Sequence, residues 1–321
     1  MKRVCFVIPC YNEESNIERL YTELVKTTSE IKSYMWEFLF ADNYSTDGTE
    51  QKLRELAAKD KRVKVILNQA NYGPSRSSAN AMYSVDADAA IIMAADMEDP
   101  PELIGKFLEA WEDGYKVVFA QYKKRNENFF VHVCRKLYYN ITVGISDFKT
   151  ERNLTGFGLL DASVLQIMKA VHEPEPNIVY LTAELGYKTK YIPFDKPKRG
   201  GGKSSYSITR YYRTAMENLV MCSQTPLHAV CTFGAILSFG SLIIALIYLV
   251  RKLVNWDAFN LGIAPLVIGL FFLGGVLLFS IGIVGEYLGN ALKRLTIRPY
   301  VIERERINFE NEISDKPEEE K

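Results

Sequence analysis

Two acidic residues stand one position apart in the segment MAADMEDPP, residues 93–101. This segment overlaps the end of the apolar run Ala89–Ala95, which is typical of a buried strand. Because side chains two positions apart in a strand point to the same face, the carboxylates of Asp96 and Glu98 are expected to converge. Such a pair repels unless a cation lies between the carboxylates, and Mg²⁺ or Mn²⁺ completed by substrate phosphates would satisfy it. A solvated acidic turn is the alternative interpretation.

Two other polar segments also follow apolar runs, and each has a structural alternative to a functional role. In PCYNEE (9–14), Asn12 fits a helix N-cap with two glutamates in the first turn. In ADNYSTDGTE (41–50), Asp47 and Glu50 are spaced like a capping box.

Only some of the polar residues in these segments are explained by helix capping. Asp99, before Pro100, is predicted to cap the next helix. Asp42 and Asn43 stand at a predicted strand tip without an apparent structural duty, so they are candidates for ligand binding.

Alternating strands and helices must position these segments. The predicted strands are Val4–Ile8, Trp36–Ala41, Val63–Leu67, Ala89–Ala95 and Lys116–Gln121, and the helices between and after them are Glu13–Ser29, Asp47–Ala58, Pro74–Val85 and Pro101–Asp113. This alternation predicts an α/β fold with a mostly parallel sheet covered on both faces. In such sheets ligands bind beyond the carboxyl ends of the strands, where all three segments lie.

Two apolar runs near the far end of the sequence, Leu227–Val250 and Leu261–Gly285, are each long enough to cross a bilayer as a helix. Two buried helices of a soluble core are the less favoured alternative, because core helices keep a polar stripe. Residues 206–227 predict an amphipathic helix in the membrane interface. Residues 291–321 form a charged tail, which is predicted to be disordered after Arg298. The large charged part ahead of the spans, without an export signal, places both termini in the cytoplasm.

Net charge, cysteine spacing and the two apolar runs argue against several functional classes. The net charge is zero, which gives no indication of nucleic-acid binding. The five cysteines lack metal-ligand spacing and favour free thiols in a reducing compartment. Two spans without intramembrane charges make a transporter a weak hypothesis. The small residues Gly269, Gly274 and Gly275 would allow packing against a neighbouring helix, which leaves a homo-oligomer open.

Five segments in order resemble the family-2 glycosyltransferases of the GT-A fold, and specifically the branch that acts on polyprenyl phosphates. VIPCYNEE is similar to that family's first strand and nucleotide-binding turn, and ADNYSTDGT to its DDGSTDGT. NYGPSRSSANA is similar to its NxGxxxAxxxG, MAADMEDPPELI to its DADLQDPPE, and RGGGKSSYS to its RxxGxSKYS loop. The resemblance covers nearly the whole chain, including the two predicted spans.

The resemblance implies a role for each matching residue. The base and ribose of a nucleotide-sugar donor would be lined by Pro9, Tyr11, Glu13, Asp42 and Asn43. Asp96 would be the principal ligand of Mg²⁺ or Mn²⁺, with Glu98 beside it, and Arg199 and Lys203 would close over the phosphates. The acceptor phosphate would be met by Lys123, Arg125, Arg135 and Lys136, although a solvated basic face explains any one of these equally well.

Two residues depart from the family pattern. Ala94 stands where the family usually has the first aspartate of its DxD motif, and Gly156 stands where it has a proposed active-site aspartate. These changes bear on metal affinity and on the assignment of a base.

The sequence therefore predicts a glycosyltransferase domain at residues 1–205, an interfacial helix at 206–227, two transmembrane helices at 228–290 and a tail at 291–321. The predicted activity is transfer of a sugar, most simply from a UDP-sugar, to polyprenyl phosphate at the cytoplasmic face of a bacterial inner membrane. Two alternatives remain: a transferase acting on another lipid or a glycan, and a catalytically impaired scaffold that binds a sugar nucleotide.

Overall fold

A computed structural model describes residues 1–123, 151, 154–171, 173, 176–195, 225–254, 263–295 and 301–309. The chain divides into two compact units. The first comprises Met1–Val133, Phe148–Ser204 and Ile297–Lys321, and the second comprises Cys134–Asp147 and Ser205–Thr296.

The first unit contains one eight-stranded sheet with helices on both of its faces. The strands are β1 (Lys2–Cys10), β2 (Tyr34–Asp42), β3 (Val63–Asn68), β4 (Ala89–Ile92), β5 (Val117–Tyr122), β6 (Leu154–Asp161), β7 (Thr189–Phe194) and β8 (Glu303–Ile307). The helices are α1 (Ile17–Glu30), α2 (Thr49–Lys59), α3 (Pro74–Tyr83), α4 (Ile104–Glu112), α5 (Ala162–Val171) and α6 (Ile178–Glu184), and a 3₁₀ turn, Pro101–Leu103, precedes α4.

The strand order is β7-β5-β6-β4-β1-β2-β3-β8. Strand β1 pairs in parallel with β2 and with β4, and β3 pairs in parallel with β2. Strands β6 and β8 run antiparallel to their neighbours, whereas β7 pairs in parallel with β5. The predicted α/β class is confirmed, and the sheet is mixed: four of its strand pairings are parallel and three are antiparallel.

Two apolar layers hold the helices against the sheet. One layer joins α1, α2 and α4 to it through buried side chains such as Leu20, Leu53 and Phe107. The other joins α3, α5 and α6, with Met82 and Leu165 among the buried residues. Burial of a large apolar side chain is worth about 1.5–3 kcal/mol, so these layers fix the sheet whose edge carries the polar segments.

The predicted strands and helices of residues 1–122 are confirmed in type, with one informative shift. Strand β4 ends at Ile92, three residues before the predicted end at Ala95. Strand β6 was not predicted, because its sequence LTGFGLLD contains two glycines. Gly158 is required there, since a Cβ at this position would lie 2.2 Å from the carbonyl oxygen of Val118.

The prediction of a disordered tail is wrong for residues 301–309. Strand β8 pairs antiparallel with β3 and forms the eighth strand of the sheet. Its sequence ERERI alternates charge, as is common in edge strands that must not pair further. Residues 310–321 lie outside the described residues. The tail thus contributes a strand to the first unit instead of forming a separate segment.

The second unit contains two long helices, α7 (Thr225–Val254) and α8 (Ile263–Leu295). They cover the two predicted spans and expose large apolar side chains, including Phe239 and Leu278. Among the residues that the structure describes, one segment, Phe272–Gly289 in α8, is long and apolar enough to cross a membrane by length and composition. Most of the predicted interfacial helix, residues 206–224, lies outside the described residues, and Thr225 already belongs to α7.

Candidate active site

The three polar segments meet at one edge of the sheet. Strands β4, β1 and β2 are adjacent and parallel, so their carboxyl ends point the same way. The loops that follow Cys10, Asp42 and Ile92 therefore lie side by side, as predicted.

The loops after β1 and β2 are held together by Asn12. The backbone N–H of Thr46 donates to the Asn12 Oδ1 at 2.8 Å, and the Asn12 N–H donates to the Ser45 hydroxyl at 2.9 Å. Asn12 has a φ of 56°, a left-handed conformation that asparagine tolerates better than most residues. Helix α1 begins only at Ile17, so the prediction that Asn12 caps it is wrong. The side chain links two loops instead.

Asp47 and Glu14 form a second link between these loops. The Glu14 N–H donates to the Asp47 carboxylate at 3.2 Å, and the Gly48 N–H donates to the Glu14 carboxylate at 3.1 Å. A Cβ on Gly48 would lie 2.6 Å from the Glu14 carboxyl carbon, so a larger residue here would displace the Glu14 carboxylate from this contact. Burial acts to raise the pKa of Asp47, but hydrogen bonds, above all from Thr49, outweigh it and hold that pKa below its usual range.

The predicted capping box of α2 does not form. Gly48 is the N-cap position and no side chain caps it. Glu50 accepts hydrogen bonds from Arg54 at 3.0 Å and from Arg304 of β8 at 2.5 Å. Both acids of the supposed box therefore make tertiary contacts.

Asp42 is buried at the tip of β2, with a relative exposure of 1%. Its carboxylate accepts hydrogen bonds from the Ser45 N–H at 3.1 Å and from the Ser45 hydroxyl at 2.5 Å. Burial raises the pKa of Asp42 above its ordinary value, although the Ser45 hydrogen bonds oppose the rise. The carboxylate is thus oriented by the loop that follows it, and the prediction that it has no structural duty is wrong.

Asn43 connects three loops and likewise has a structural role that the sequence did not predict. Its backbone N–H donates to the Cys10 carbonyl at 2.9 Å. Its side-chain Oδ1 accepts from the Tyr72 N–H at 3.0 Å and from Asn68 at 3.2 Å, and its Nδ2 donates to Asn71 at 2.9 Å. The loops after β1, β2 and β3 are therefore tied through one buried amide. The run NYGP at 71–74 was the sequence signal for this contact.

The acidic segment after β4 is a turn and not the end of a strand. Met97 has a φ of 61°, and the Glu98 N–H donates to the Asp96 carboxylate at 3.0 Å. The buried Asp99 carboxylate accepts the Ala94 N–H at 2.8 Å and so closes the turn. The prediction that Asp99 caps a helix is wrong, because no side-chain cap precedes the 3₁₀ turn.

Strand alternation therefore does not account for the position of Asp96 beside Glu98. Asp96 is exposed and Glu98 is half-buried, and the two residues are neighbours in a turn in which the Glu98 N–H donates to the Asp96 carboxylate. Asp96 also faces the loop after β1: burial raises the pKa of Glu13 above its ordinary value, and the Asp96 charge adds to the rise. Negative charge from two loops thus accumulates at one point of the sheet edge, which is an environment that favours a bound cation.

The side chains at this edge would supply only some of the ligands of a metal ion, and water and substrate would supply the others. Among the described residues there is no group of three or more histidine, cysteine or acidic side chains able to hold a metal ion. One oxygen of Asp96 accepts the Glu98 N–H, which leaves the other available for a ligand. Mg²⁺ is commonly bound by one or two carboxylates, with the remaining positions taken by water and substrate phosphates. The donor set fits that arrangement.

The other predicted donor residues lie at the same edge, whereas most of the predicted cationic residues cannot be placed. Pro9 is half-buried in β1, and the Tyr11 ring is 45% exposed. Lys123 is exposed and forms an ion pair with Asp195 at 3.5 Å. The remaining cationic residues, Arg125, Arg135, Lys136, Arg199 and Lys203, lie outside the described residues.

Gly156 lies in β6, and no atom of the described residues lies within 4 Å of where its Cβ would be. None of these residues therefore blocks a larger side chain at this position.

Comparison with known proteins agrees with this arrangement. Residues 5–164 match the family model described as Glycosyl transferase family 2. An uncharacterized glycosyltransferase of Synechocystis sp. is 29% identical over 91% of this chain and 92% of its own. A prophage bactoprenol glucosyl transferase homolog of Escherichia coli (strain K12) is 26% identical over 94% of this chain and 99% of its own.

Among solved structures, the glucosyl-3-phosphoglycerate synthase from Mycobacterium tuberculosis in complex with Mn²⁺, UDP-glucose and phosphoglyceric acid is 13% identical to this chain. The match covers 68% of this chain and 79% of that one, with a TM-score of 0.44. On the strength of its family match and its sequence relatives, this chain carries a glycosyltransferase family 2 domain, and the protein is a glycosyltransferase.

Proposed function

We propose that this glycosyltransferase is membrane-anchored and inverting, and that it moves a sugar from a UDP-sugar to a polyprenyl phosphate. The reaction takes place at the cytoplasmic face of a bacterial inner membrane, with both termini in the cytoplasm and α7 and α8 as the two spans. A polyprenyl chain cannot leave the bilayer, so the active site must be held against the lipid headgroups.

The observation that carries this proposal is the length of the match to the bactoprenol glucosyl transferase homolog. That match extends over 94% of the chain, so it continues past the family 2 domain into the two apolar helices. A transferase with a soluble acceptor would not need two long helices that expose residues such as Phe239 and Leu278.

The donor occupies the carboxyl edge beyond β1 and β2. The buried Asp42, held by Ser45, accepts hydrogen bonds from the base or ribose, and Asn43 supports the same pocket from the β2 side. The exposed Tyr11 ring offers an apolar face for the base, and Pro9 and Glu13 complete this side.

Asp96, with Glu98 beside it, would hold Mg²⁺ or Mn²⁺, and the donor phosphates would supply further ligands. When bound, such a cation would neutralise the negative charge on the departing diphosphate. Asp96 is exposed, so one of its oxygens can contact a ligand while the other keeps the turn closed through the Glu98 N–H. Arg199 and Lys203 add positive charge over the phosphates.

The acceptor explains why the departure at Gly156 is tolerated. A hydroxyl acceptor must lose a proton as it attacks, and its enzyme normally supplies a carboxylate for this. A phosphate monoester has a second pKa near 6 and is mostly a dianion at neutral pH. It needs cations that position it, which Lys123 and the predicted Arg125, Arg135 and Lys136 supply, and it needs no base.

A donor screen tests this proposal directly. Purified protein in lipid is incubated with undecaprenyl phosphate, Mg²⁺ and each common UDP-sugar in turn, and the lipid-linked product is identified by its mass. We expect one donor to give a monoglycosylated undecaprenyl phosphate. Binding of UDP without any glycolipid would favour the scaffold function instead, for which the departures at Ala94 and Gly156 are the supporting observation.

A further inference from the structure

Strand β8 lies against the loop that follows β3, on the side of the sheet edge opposite the acidic turn. The antiparallel register pairs Glu305 with Leu67 and Glu303 with Asn68, so β8 begins where β3 ends. Just before β8, the Ile302 carbonyl accepts the Gln69 N–H at 2.8 Å. The beginning of the β3–α3 loop, residues 69–73, is therefore fixed by a segment more than 200 residues away in the sequence.

The helix that follows the β3–α3 loop is held by the same strand. Asn80 of α3 donates to the Glu303 carboxylate at 2.6 Å. Arg306 donates to the same carboxylate and holds it in place. Glu303 thus joins α3 to the start of β8, so the loop is held at its first residue by Ile302 and, beyond its last residue, through the helix that follows it.

This loop supports Asn43 of the candidate donor site. The Tyr72 N–H donates to the Asn43 Oδ1 at 3.0 Å, and Asn71 accepts from the Asn43 Nδ2 at 2.9 Å. Asn71 also accepts the Gly73 N–H at 2.9 Å, which fixes its own orientation. A continuous set of contacts therefore leads from Glu303, through the β3–α3 loop, to Asn43.

A charged residue of β8, Arg304, also acts electrostatically on the candidate donor site. Arg304 donates to the Glu50 carboxylate at 2.5 Å. Burial raises the pKa of Asp42, the Glu50 charge adds to this rise, and the Arg304 charge opposes it. The charges on β8 and on its partner in α2 therefore act on a buried carboxylate of the candidate donor site.

We propose that β8 is a positioning element of the donor site, in which Ile302 and Glu303 fix the β3–α3 loop and thereby the Asn43 amide. The donor role of Asn43 rests on the function proposed above. The segment after the second apolar helix is then required to keep the nucleotide pocket in its binding geometry. Glu303 does not touch the donor; it acts through Asn80 and the loop.

The test compares two substitutions at opposite ends of β8 in the full-length protein. Glu303→Ala removes the contact near the donor site. Asn308→Ala is the matched control, because Asn308 donates to the carbonyls of Ala57 at 2.7 Å and Val63 at 2.8 Å, at the amino end of β3. Both variants lose hydrogen bonds made by β8 or its end, so a general loss of stability would appear in both.

Amide hydrogen exchange reads the positioning without any ligand. In Glu303→Ala, we expect the Tyr72 and Gly73 amides to exchange about three- to tenfold faster, the change expected for one net hydrogen bond. In Asn308→Ala these two amides keep the parent rate, and Glu303→Gln, which keeps an acceptor oxygen for Asn80, restores it. Equal rates in Glu303→Ala and the parent, or an equal rise in the Asn308→Ala control, would overturn the proposal.

Titration with UDP, together with steady-state kinetics, measures the effect of the substitutions on donor binding. Glu303→Ala should raise the UDP Kd and the donor KM about three- to tenfold and leave the acceptor KM unchanged. Unchanged UDP affinity in Glu303→Ala, with UDP bound by the parent, would contradict the donor-site role. If the parent does not bind UDP, the proposed donor class is wrong, and the exchange rates still decide whether β8 positions the loop.

Discussion

Replacing Asn43 with alanine tests whether one buried amide holds the loops of the site together. The Asn43 side chain is 4% exposed and makes three hydrogen bonds, with Tyr72, Asn68 and Asn71. A hydrogen bond contributes about 1 kcal/mol net, and more when a buried partner is left unsatisfied. Asn71 is exposed, so water replaces its lost contact, whereas Tyr72 is half-buried and Asn68 is buried. We therefore expect Asn43→Ala to lower the free energy of unfolding by about 2–3 kcal/mol.

The comparison variant is Asn71→Ala, which removes the acceptor of the Asn43 Nδ2 and of the Gly73 N–H and leaves the Tyr72 and Asn68 contacts of Asn43 in place. We expect it to cost about 1 kcal/mol, less than Asn43→Ala, because position 71 is exposed and water can take the place of the lost acceptor. Urea unfolding in mild detergent, followed by tryptophan fluorescence, measures both variants, because Trp36 and Trp111 are buried in the first unit. A shift in the urea midpoint without a change in slope reports stability alone.

Two results of this experiment would refute the reasoning. The first is an equal midpoint shift in Asn43→Ala and Asn71→Ala, which would mean that the buried contacts add nothing. The second is a loss below about 0.5 kcal/mol in Asn43→Ala, the lower limit for one hydrogen bond. Because Asn43 is in the proposed donor pocket, we also expect the variant to bind UDP more weakly than Asn71→Ala does.

Four further predictions follow from the same structure. Asp96→Asn should remove nearly all Mg²⁺-dependent transfer, and full activity of the parent in excess chelator would contradict the metal site. Gly156→Asp should fold normally, since no atom of the part of the chain that the structure describes lies within 4 Å of the added Cβ, and thermal unfolding would detect any strain. Burial acts to raise the pKa of Asp161, but hydrogen bonds from Ser163, Trp111 and Lys116 lower it from 3.8 to about 2. These contacts with the ionised carboxylate therefore stabilise the fold above pH 3.8. That stability, about 1–2 kcal/mol, is lost as the pH falls towards 2, and acid unfolding of Asp161→Asn should show a correspondingly smaller loss. Cysteine introduced at Asn255 should react with an impermeant thiol reagent in intact cells, and labelling of the tail instead would overturn the proposed topology.

The first half of the fold could be predicted because its elements are local. Each of the strands β1 to β5 contains an apolar run, and each of the first four helices has its own periodicity. Strand β8 could not be predicted in this way, because ERERI has no apolar run and pairs with a strand far away in the sequence. Pairing with a distant strand leaves no sign in the sequence of β8 itself, although β3 was predictable from its apolar run.

The placement of the three polar segments at the strand ends is confirmed, but the structural roles predicted for several of their residues are wrong. Asn12, Asp47 and Asp99 are all residue types that cap helices, and the sequence patterns fitted caps. In the structure each bonds within or between loops instead, with partners such as Thr46 and Glu14. A cap and a loop link use the same side chains, and only the three-dimensional neighbours distinguish them.

The most direct test of the account compares two acceptors that differ only in a phosphate group. Transfer from one radiolabelled UDP-sugar is measured to undecaprenyl phosphate and to undecaprenol, with Asp96→Asn as the background. We predict transfer to the phosphate alone, with a rate that falls below about pH 6 as the acceptor becomes protonated. Equal or faster transfer to the alcohol would require a base at the site and would contradict the account.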